Sequence, residues 1–231
     1  MTDSGSGRDL PPLTPALMLS AYAAGLFPMA SHEDPEELDW YDPDPRGVIP
    51  LDDFHLPRRL RRTVLSGRFR VTADTAFRDV MLGCAAPAPG RESTWINTEI
   101  IRLFTELHEK GFGHSIEVWK DDELAGGLYG VALGGAFFGE SMFSRTTDAS
   151  RTALVHLTAR LRLCGFILLD TQFGTEHLSR FGGVEIPRSH YKAMLEKAVN
   201  MPCCWRDMEE EADLILTEIR SMRAGDREAD G

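Results

Sequence analysis

"GFILLDTQFGTEHL" (residues 165–178) joins four consecutive apolar residues, Phe166 to Leu169, to Asp170, Thr171 and Gln172. A continuous apolar run behind a glycine reads as a buried strand inside a sheet. This strand ends in a carboxylate and an amide, with no Lys, Arg or Cys beside them in sequence. Side chains alternate along a strand, so Asp170 and Gln172 point to the same face if the strand continues. The pair can orient a ligand, take a proton, or cap the loop "TQFGTEHL" that follows.

The surrounding chain alternates in type. Upstream of the strand, Leu154, Leu157, Leu161 and Cys164 form one apolar helical stripe ending at Gly165, with Asp148 or Ser150 available as its cap. Before that helix, "LAGGLYGVAL" and "AFFGESMF" read as strands reversed at Gly134-Gly135, a hairpin signal. "SIEVWK" precedes them as a strand, with Asp121-Asp122 making the turn, and "FRVTA" (69–73) is another. Residues 97–110 carry Ile100, Phe104 and Leu107 at helical spacing and stop at Gly111, and a further helix is expected near 189–200. The pattern predicts an α/β (α+β) fold in which helices pack across a mixed sheet.

The amino-terminal part is different in character. Residues 1–13 read as flexible; Thr14-Pro15 then supplies a cap and first-turn proline for a short helix that Gly25 ends. "FPMASHEDPEELDWYDPDPRGVIP" is too broken by Pro and acid for a long element. Residues 1–50 are therefore expected to be a small unit wrapped on the remainder, 51–231, which ends in an acidic tail.

Composition narrows the function classes. A 42% apolar and 26% charged chain of 231 residues is ordinary for a soluble globular protein. No apolar run approaches the ~20 residues of a membrane span, and the amino terminus lacks the basic and apolar regions of a signal peptide. Cys84, Cys164, Cys203 and Cys204 show no CxxC spacing, which argues against a zinc site or disulfide framework and fits the cytoplasm. The net charge of −11 argues against indiscriminate nucleic-acid binding. Yet from Phe54 to Ala73 there is no acid, and Arg58, Arg59, Arg61, Arg62, Arg68 and Arg70 all fall there, on a segment (55–66) expected to be helical. Such a strip fits either one anionic partner or a solvated helix face.

Familiar catalytic signatures are missing. "GES" at 139–141 lacks the second glycine of a nucleophile elbow, and there is no Walker loop, no GxGxxG after a strand and no HExxH. What remains is a constellation: Glu140 at the end of the hairpin strand, with Asp170 and Gln172 at the end of the buried one. In one sheet these ends can define a polar patch beside apolar walls. The alternatives are an ion pair of Glu140 with Arg145, and loop capping by the other two.

Several segments then resemble one family. "WYDPDPRGV" (40–48), "TWI" (94–96), "HSIEVWKDDELAGGLYGV" (114–131), "FGESMFSRTTDASRTAL" (138–154) and "LLDTQFGTEHLSRFGGVEIPR" (168–188) look like the leucyl/phenylalanyl-tRNA–protein transferases, in one continuous order over about residues 15–200. The resemblance implies a small N-terminal domain and a C-terminal acetyltransferase-like (GNAT-type) domain. It implies transfer of Leu or Phe, less well Met, from aminoacyl-tRNA to proteins beginning with Arg or Lys, which marks them for degradation. No cofactor or metal is implied, and the protein is expected to act as a monomer away from membranes.

Residue by residue, the resemblance makes Asp170 and Gln172 the catalytic pair. Asp170 either polarises Gln172, whose carbonyl accepts a hydrogen from the incoming amine, or acts electrostatically. Glu140 matches a site glutamate that fixes Gln172 or the aminoacyl ammonium group. Leu128, Phe137, Met142, Leu154, Leu157 and Leu169 match the aminoacyl pocket, although ordinary core packing explains each singly. Trp95 matches a tryptophan near the terminal adenosine, whereas Met29 stands where the family usually has Trp and offers soft apolar contact. Arg58, Arg59, Arg61, Arg62 and Arg70 match the basic segment for the tRNA acceptor stem, with Leu65 and Ser66 where more basic residues are usual. The family's usual Asp-Cys-Gln is Asp-Thr-Gln here, so the middle residue is not chemical. An acetyl-CoA-dependent acetyltransferase and a non-catalytic RNA-binding module are the rival readings.

Overall fold

The computed structural model describes residues 13–31, 38–87, 94–206, 208 and 212–225. The expected flexibility of 1–13 therefore lies, Leu13 apart, outside the described residues, as does much of the acidic tail. In chain order the first elements are α1 (Pro15–Ala23), β1 (Phe27–Ala30), β2 (Leu38–Tyr41), β3 (Arg46–Ile49), β4 (Leu56–Pro57), α2 (Arg58–Leu65) and β5 (Arg70–Ala73). Then come α3 (Phe77–Ala85), α4 (Thr98–Glu109), β6 (Gly113–Lys120), β7 (Glu123–Leu133), β8 (Ala136–Ser144) and α5 (Ala149–Leu163). The chain closes with β9 (Leu168–Gln172), α6 (Glu176–Ser179), β10 (Val184–Ile186), α7 (Arg188–Val199), α8 (Ala212–Ser221) and β11 (Ala224–Gly225).

Seven strands form one mixed sheet in the order β10-β3-β9-β8-β7-β6-β5. Only β8 and β9 run parallel in it, joined by the crossover helix α5; every other pair is antiparallel. The hairpins form where the turn chemistry allows. Asp121 and Asp122 both take positive φ (51° and 61°), the geometry of a two-residue turn whose twist suits the flanking strands. At the β7–β8 turn Gly134 has φ +56°, and a Cβ there would lie 2.5 Å from the Val199 carbonyl oxygen.

Strand alternation divides the apolar residues into two cores, one on each face. Ile49, Phe137 and Leu169 face a core with α2, α5 and α8. Their neighbours Val48, Phe138 and Leu168 face a second core with α1, α3, α4 and α7. The sheet is thus covered on both sides, which explains why adjacent Leu168 and Leu169 of β9 are both buried; the strand begins only at Leu168, however, and Ile167 of the apolar run is 37% exposed.

The amino-terminal residues add to the second core rather than building their own. Met18 and Tyr22 of α1 and Phe27 of β1 are almost wholly buried in it. Thr14 caps α1 by accepting the Leu17 N–H at 3.2 Å, and Gly25 ends the helix at φ +79°. Residues 46–49, grouped with this unit by composition, are β3, a strand of the central sheet between β10 and β9. Asp148 stands at the N-cap of α5 but makes no capping hydrogen bond; it is left-handed (φ +72°) and pairs with Arg151 at 3.2 Å.

Candidate active site

The parallel pair β8–β9 is in register only from Ala136↔Leu168 to Phe138↔Asp170. Just beyond this point both strands carry one extra residue. Tyr129 pairs with Ser141 and Gly130 with Gly139, so Glu140 is the unpaired residue of a bulge on β8. Gly47 pairs with Gln172 and Val48 with Asp170, so Thr171 is the extra residue on β9. Bulges bend a strand and re-aim its side chains. Here they part the two strands, and a cavity of about 340 Å³ opens in the gap.

The floor of this cavity is apolar: Leu128, Met142, Leu154, Leu157 and Leu169 come from four elements. Its rim carries Glu140 and Gln172, with Trp95, Met29, Phe27 and Phe173 around them. Of the pocket residues named from sequence, Phe137 is not among the lining. It is fully buried behind the wall, with its ring 5.8 Å from that of Trp205. Trp95 and Met29 are brought to the same rim, where the Ala30 N–H bonds the Trp95 carbonyl at 3.3 Å.

Asp170 and Gln172 do not share a face, because the extra residue Thr171 and a turn centred on Gln172 break the alternation at the end of β9. The Phe173 N–H bonds the Thr171 carbonyl at 2.6 Å and Gln172 has φ +59°, which is the rare γ-turn with positive φ at its centre. A non-glycine residue held there stores about 1–3 kcal/mol of strain. Gln172 therefore reaches the cavity, while Asp170 turns inward and is 0% exposed.

Asp170 is also not isolated. Arg46, equally 0% exposed, donates Nε to Oδ1 at 2.9 Å and Nη2 to Oδ2 at 2.7 Å. Tyr191 donates its hydroxyl to Oδ2 at 2.7 Å, and the Gln172 backbone N–H reaches Oδ1 at 2.9 Å. The cationic partner missing from the local sequence comes from β3, 124 residues earlier. Loop capping and site building are thus one role: Asp170 caps the turn that presents Gln172.

Glu140 does not pair with Arg145, which instead donates to the Leu124 carbonyl at 3.1 Å and covers the Phe143 ring. Its Oε1 accepts the Tyr22 hydroxyl at 2.7 Å and the Gln172 Nε2 at 3.4 Å. With its amino end on Glu140, Gln172 turns its carbonyl oxygen away from that carboxyl. Burial pushes the Glu140 carboxyl up to about 8; the Tyr22 hydrogen bond opposes this, the Asp170 charge adds to it, and the Arg46 charge relieves it. Burial and the Glu140 charge push the Tyr22 hydroxyl well above its ordinary range, so it remains a donor. The arrangement supplies a carboxyl that becomes a proton acceptor as pH rises toward about 8, a neutral acceptor oxygen and an apolar slot.

The basic strip is split by the fold. Leu60 and Val64 anchor α2 in the core, and Arg58, Arg59 and Arg62 lie on its exposed side. Arg61 turns back to the end of α8, donating to the carbonyls of Arg220 and, at 3.2 Å, Met222. Arg70 covers the Trp119 ring at 5.1 Å and lies 3.7 Å from Asp122. Among the described residues no group of His, Cys, Asp and Glu is placed to hold a metal ion, and none of the four cysteines is in a disulfide.

The model of the leucyl/phenylalanyl-tRNA protein transferase family matches residues 48–196, and the model of the family's N-terminal domain matches residues 12–44. The chain belongs to this family. Among the curated leucyl/phenylalanyl-tRNA–protein transferases, that of Paramagnetospirillum magneticum is 60% identical over 188 residues, 81% of this chain and 90% of the relative. That of Rhodopseudomonas palustris is 57% identical over 92% of this chain and 93% of its own, and that of Nitrobacter winogradskyi 60% over 81% and 83%. A solved C-terminal domain of a putative lysylphosphatidylglycerol synthetase from Agrobacterium fabrum aligns over 79% of this chain and 62% of its own at 14% identity, with a TM-score of 0.38, which carries no argument about fold.

Against this transferase frame, sequence reasoning left out Arg46, Tyr22 and Tyr191. Arg46 stood inside the family-like segment "WYDPDPRGV". A lone Arg following a proline, with Asp42 four residues before it and 4.0 Å from its Nη1, reads locally as half of an ordinary i,i+4 ion pair and offers no sign of burial.

Proposed function

We propose that this site moves a leucyl or phenylalanyl group, and less readily a methionyl group, from aminoacyl-tRNA to the α-amino group of proteins that begin with Arg or Lys. The observation that carries the reading is the opening between β8 and β9, with its apolar floor and the Glu140–Gln172 pair at its lip. An aminoacyl ester is already activated, so peptide formation needs neither ATP nor an enzyme nucleophile. The enzyme's task is to hold amine and ester in attack geometry, worth up to about 7–11 kcal/mol.

The apolar side chain of the donor occupies the floor formed by Leu128, Met142, Leu154, Leu157 and Leu169. A dry pocket separates one methylene by only ~1–3 kcal/mol, so tolerance of Leu, Phe and Met is expected. The terminal adenosine stacks on Trp95 at the rim, with Met29 as an apolar neighbour; stacking contributes ~1–3 kcal/mol per base. Arg58, Arg59 and Arg62 offer sequence-independent phosphate contacts to the acceptor stem. Arg61 and Arg70 are part of the same positive surface, though their contacts with the end of α8 and with Trp119 and Asp122 give them structural roles too.

In the chemical step the amine nitrogen attacks the ester carbonyl carbon and the bond to the tRNA 3′ oxygen breaks. One proton leaves the nitrogen and one reaches that oxygen. The Gln172 carbonyl accepts one N–H and aligns the nitrogen lone pair. Glu140, with a carboxyl brought near the ~8 of an α-amine, takes the proton and returns it to the departing oxygen. Asp170 does not touch the amine in this account; it holds Gln172 from behind. A small N-terminal unit and an acetyltransferase-like catalytic domain, acting in the cytoplasm, complete the proposal. Among the described residues no helix is long and apolar enough to cross a membrane.

The test is transfer by Gln172→Ala and Gln172→Glu proteins. Loss of transfer in the first, with donor binding retained, supports the assignment; wild-type rates in both contradict it.

A further inference from the structure

Arg46 lies outside the cavity, and no donor or acceptor substrate in the proposed reaction touches it. Its guanidinium sits between the rings of Phe27 and Tyr191, 4.9 Å and 4.4 Å from their centroids, and donates Nη1 to the Gly25 carbonyl at 2.9 Å. Its other two bonds close a fork on Asp170. A buried ion pair is weak grounds for stability, since apolar residues of similar size often serve as well. Its position is more informative. The Asp170 Oδ1 that receives Arg46 Nε also receives the backbone N–H of Gln172, the residue at the centre of the γ-turn.

We propose that Arg46 is a positioning residue for aminoacyl transfer: acting through Asp170, it holds Gln172 in the strained turn that presents its side chain to the cavity. The planar fork fixes both carboxylate oxygens at once, and Tyr191 fixes Oδ2 a second time. Asp170 can then point only one free lone-pair direction at the Gln172 N–H. Lysine keeps the charge but not the fork, so it leaves Asp170 free to rotate and the turn free to relax. This inference rests on the proposed role of Gln172, and the test keeps the two apart.

Gln172 is the single glutamine of the sequence. Protein labelled with ¹⁵N-glutamine therefore reports this one residue, through one backbone amide and one side-chain NH₂. In the wild type the backbone amide is expected to exchange slowly with solvent. In folded Arg46→Lys protein, checked by its melting profile, exchange is expected to rise at least tenfold. In the same variant kcat for transfer is expected to fall about a hundredfold, with KM for charged tRNA within twofold of wild type. Tyr191→Phe, which removes one bond to Asp170 and little volume, is expected to shift both readouts in the same direction by severalfold. It decides the matter should Arg46→Lys not fold. Unchanged exchange in the folded variants overturns the proposal, as does faster exchange with undiminished kcat. A rise in KM matching the loss of kcat/KM also overturns it, because that signature belongs to a damaged binding surface. Wild-type protein with a protected, Arg46-dependent Gln172 amide but no transfer activity supports the hold on Gln172 and contradicts the functional reading instead.

Discussion

Glu140 carries the most consequential single property in the site, a carboxyl raised to about 8 from an ordinary 4.5. Between these two values the unfolded chain binds fewer protons than the folded one, so stability falls as pH rises. Glu140→Gln protein should lose that decline, gaining on the order of 2–4 kcal/mol relative to wild type at pH 8. The figure is below the full shift because the cavity leaves Glu140 partly exposed. Melting temperatures of both proteins from pH 5 to 8.5 measure it; parallel curves would mean that Glu140 titrates normally. The same substitution should lower kcat by ~10²–10³-fold if Glu140 moves the proton. At this scale the sequence was informative about residue types and silent about partners. It marked Asp170, Gln172 and Glu140 as chemistry without a nucleophile. The Arg46–Asp170 contact spans 124 positions, and the γ-turn at Gln172 depends on tertiary bonds, so neither is visible in local patterning.

Bulges and turns, rather than the strands themselves, decide where these residues point. Alternation alone puts Asp170 and Gln172 on one face, and the extra residue at Thr171 together with the turn at Gln172 separates them. Gly47 permits this arrangement: a Cβ there would lie 2.5 Å from the carbonyl carbon of Phe173 and 2.7 Å from the Gly174 nitrogen. Gly47→Ala should displace the turn, costing about 1–3 kcal/mol of stability and roughly tenfold or more in kcat. Denaturant melts with transfer kinetics check this; full activity would show that the 172–174 turn tolerates movement. The floor responds differently. Met142 is partly exposed and lines the cavity, so Met142→Ala should widen the slot at small cost and shift the ratio of kcat/KM values toward the larger donor, Phe over Leu. The long strands, both hairpins and helix α5 were legible because each combines a clean period with strong turn residues. Helix α3 carried no cap and a glycine at Gly83, and β10 and β11 are too short to show any period.

Across the whole molecule, a chain of net charge −11 has an acid-free stretch, Phe54 to Ala73, which carries six of its 25 Lys and Arg residues. Arg58→Ala/Arg62→Ala protein should use charged tRNA several-fold less well and lose part of the salt dependence, while its use of small aminoacyl-nucleoside donors stays unchanged. Arg61→Ala should instead lower stability, because Arg61 holds carbonyls at the end of α8. Kinetics with both donors across a salt series separate the two effects. The same scale explains why Tyr22, on α1, reaches Glu140 on β8: the amino-terminal residues pack into the core behind the site instead of standing apart from it. The most direct test of the account is a transfer assay with the purified chain, verified leucyl-tRNA and a peptide beginning with Arg, in the absence of ATP and acyl-CoA. The account predicts a leucyl-peptide bond on the α-amine, formed faster as pH rises toward about 8 and abolished by Gln172→Ala. No product from verified charged tRNA, or product formed only when acetyl-CoA replaces it, would contradict the account.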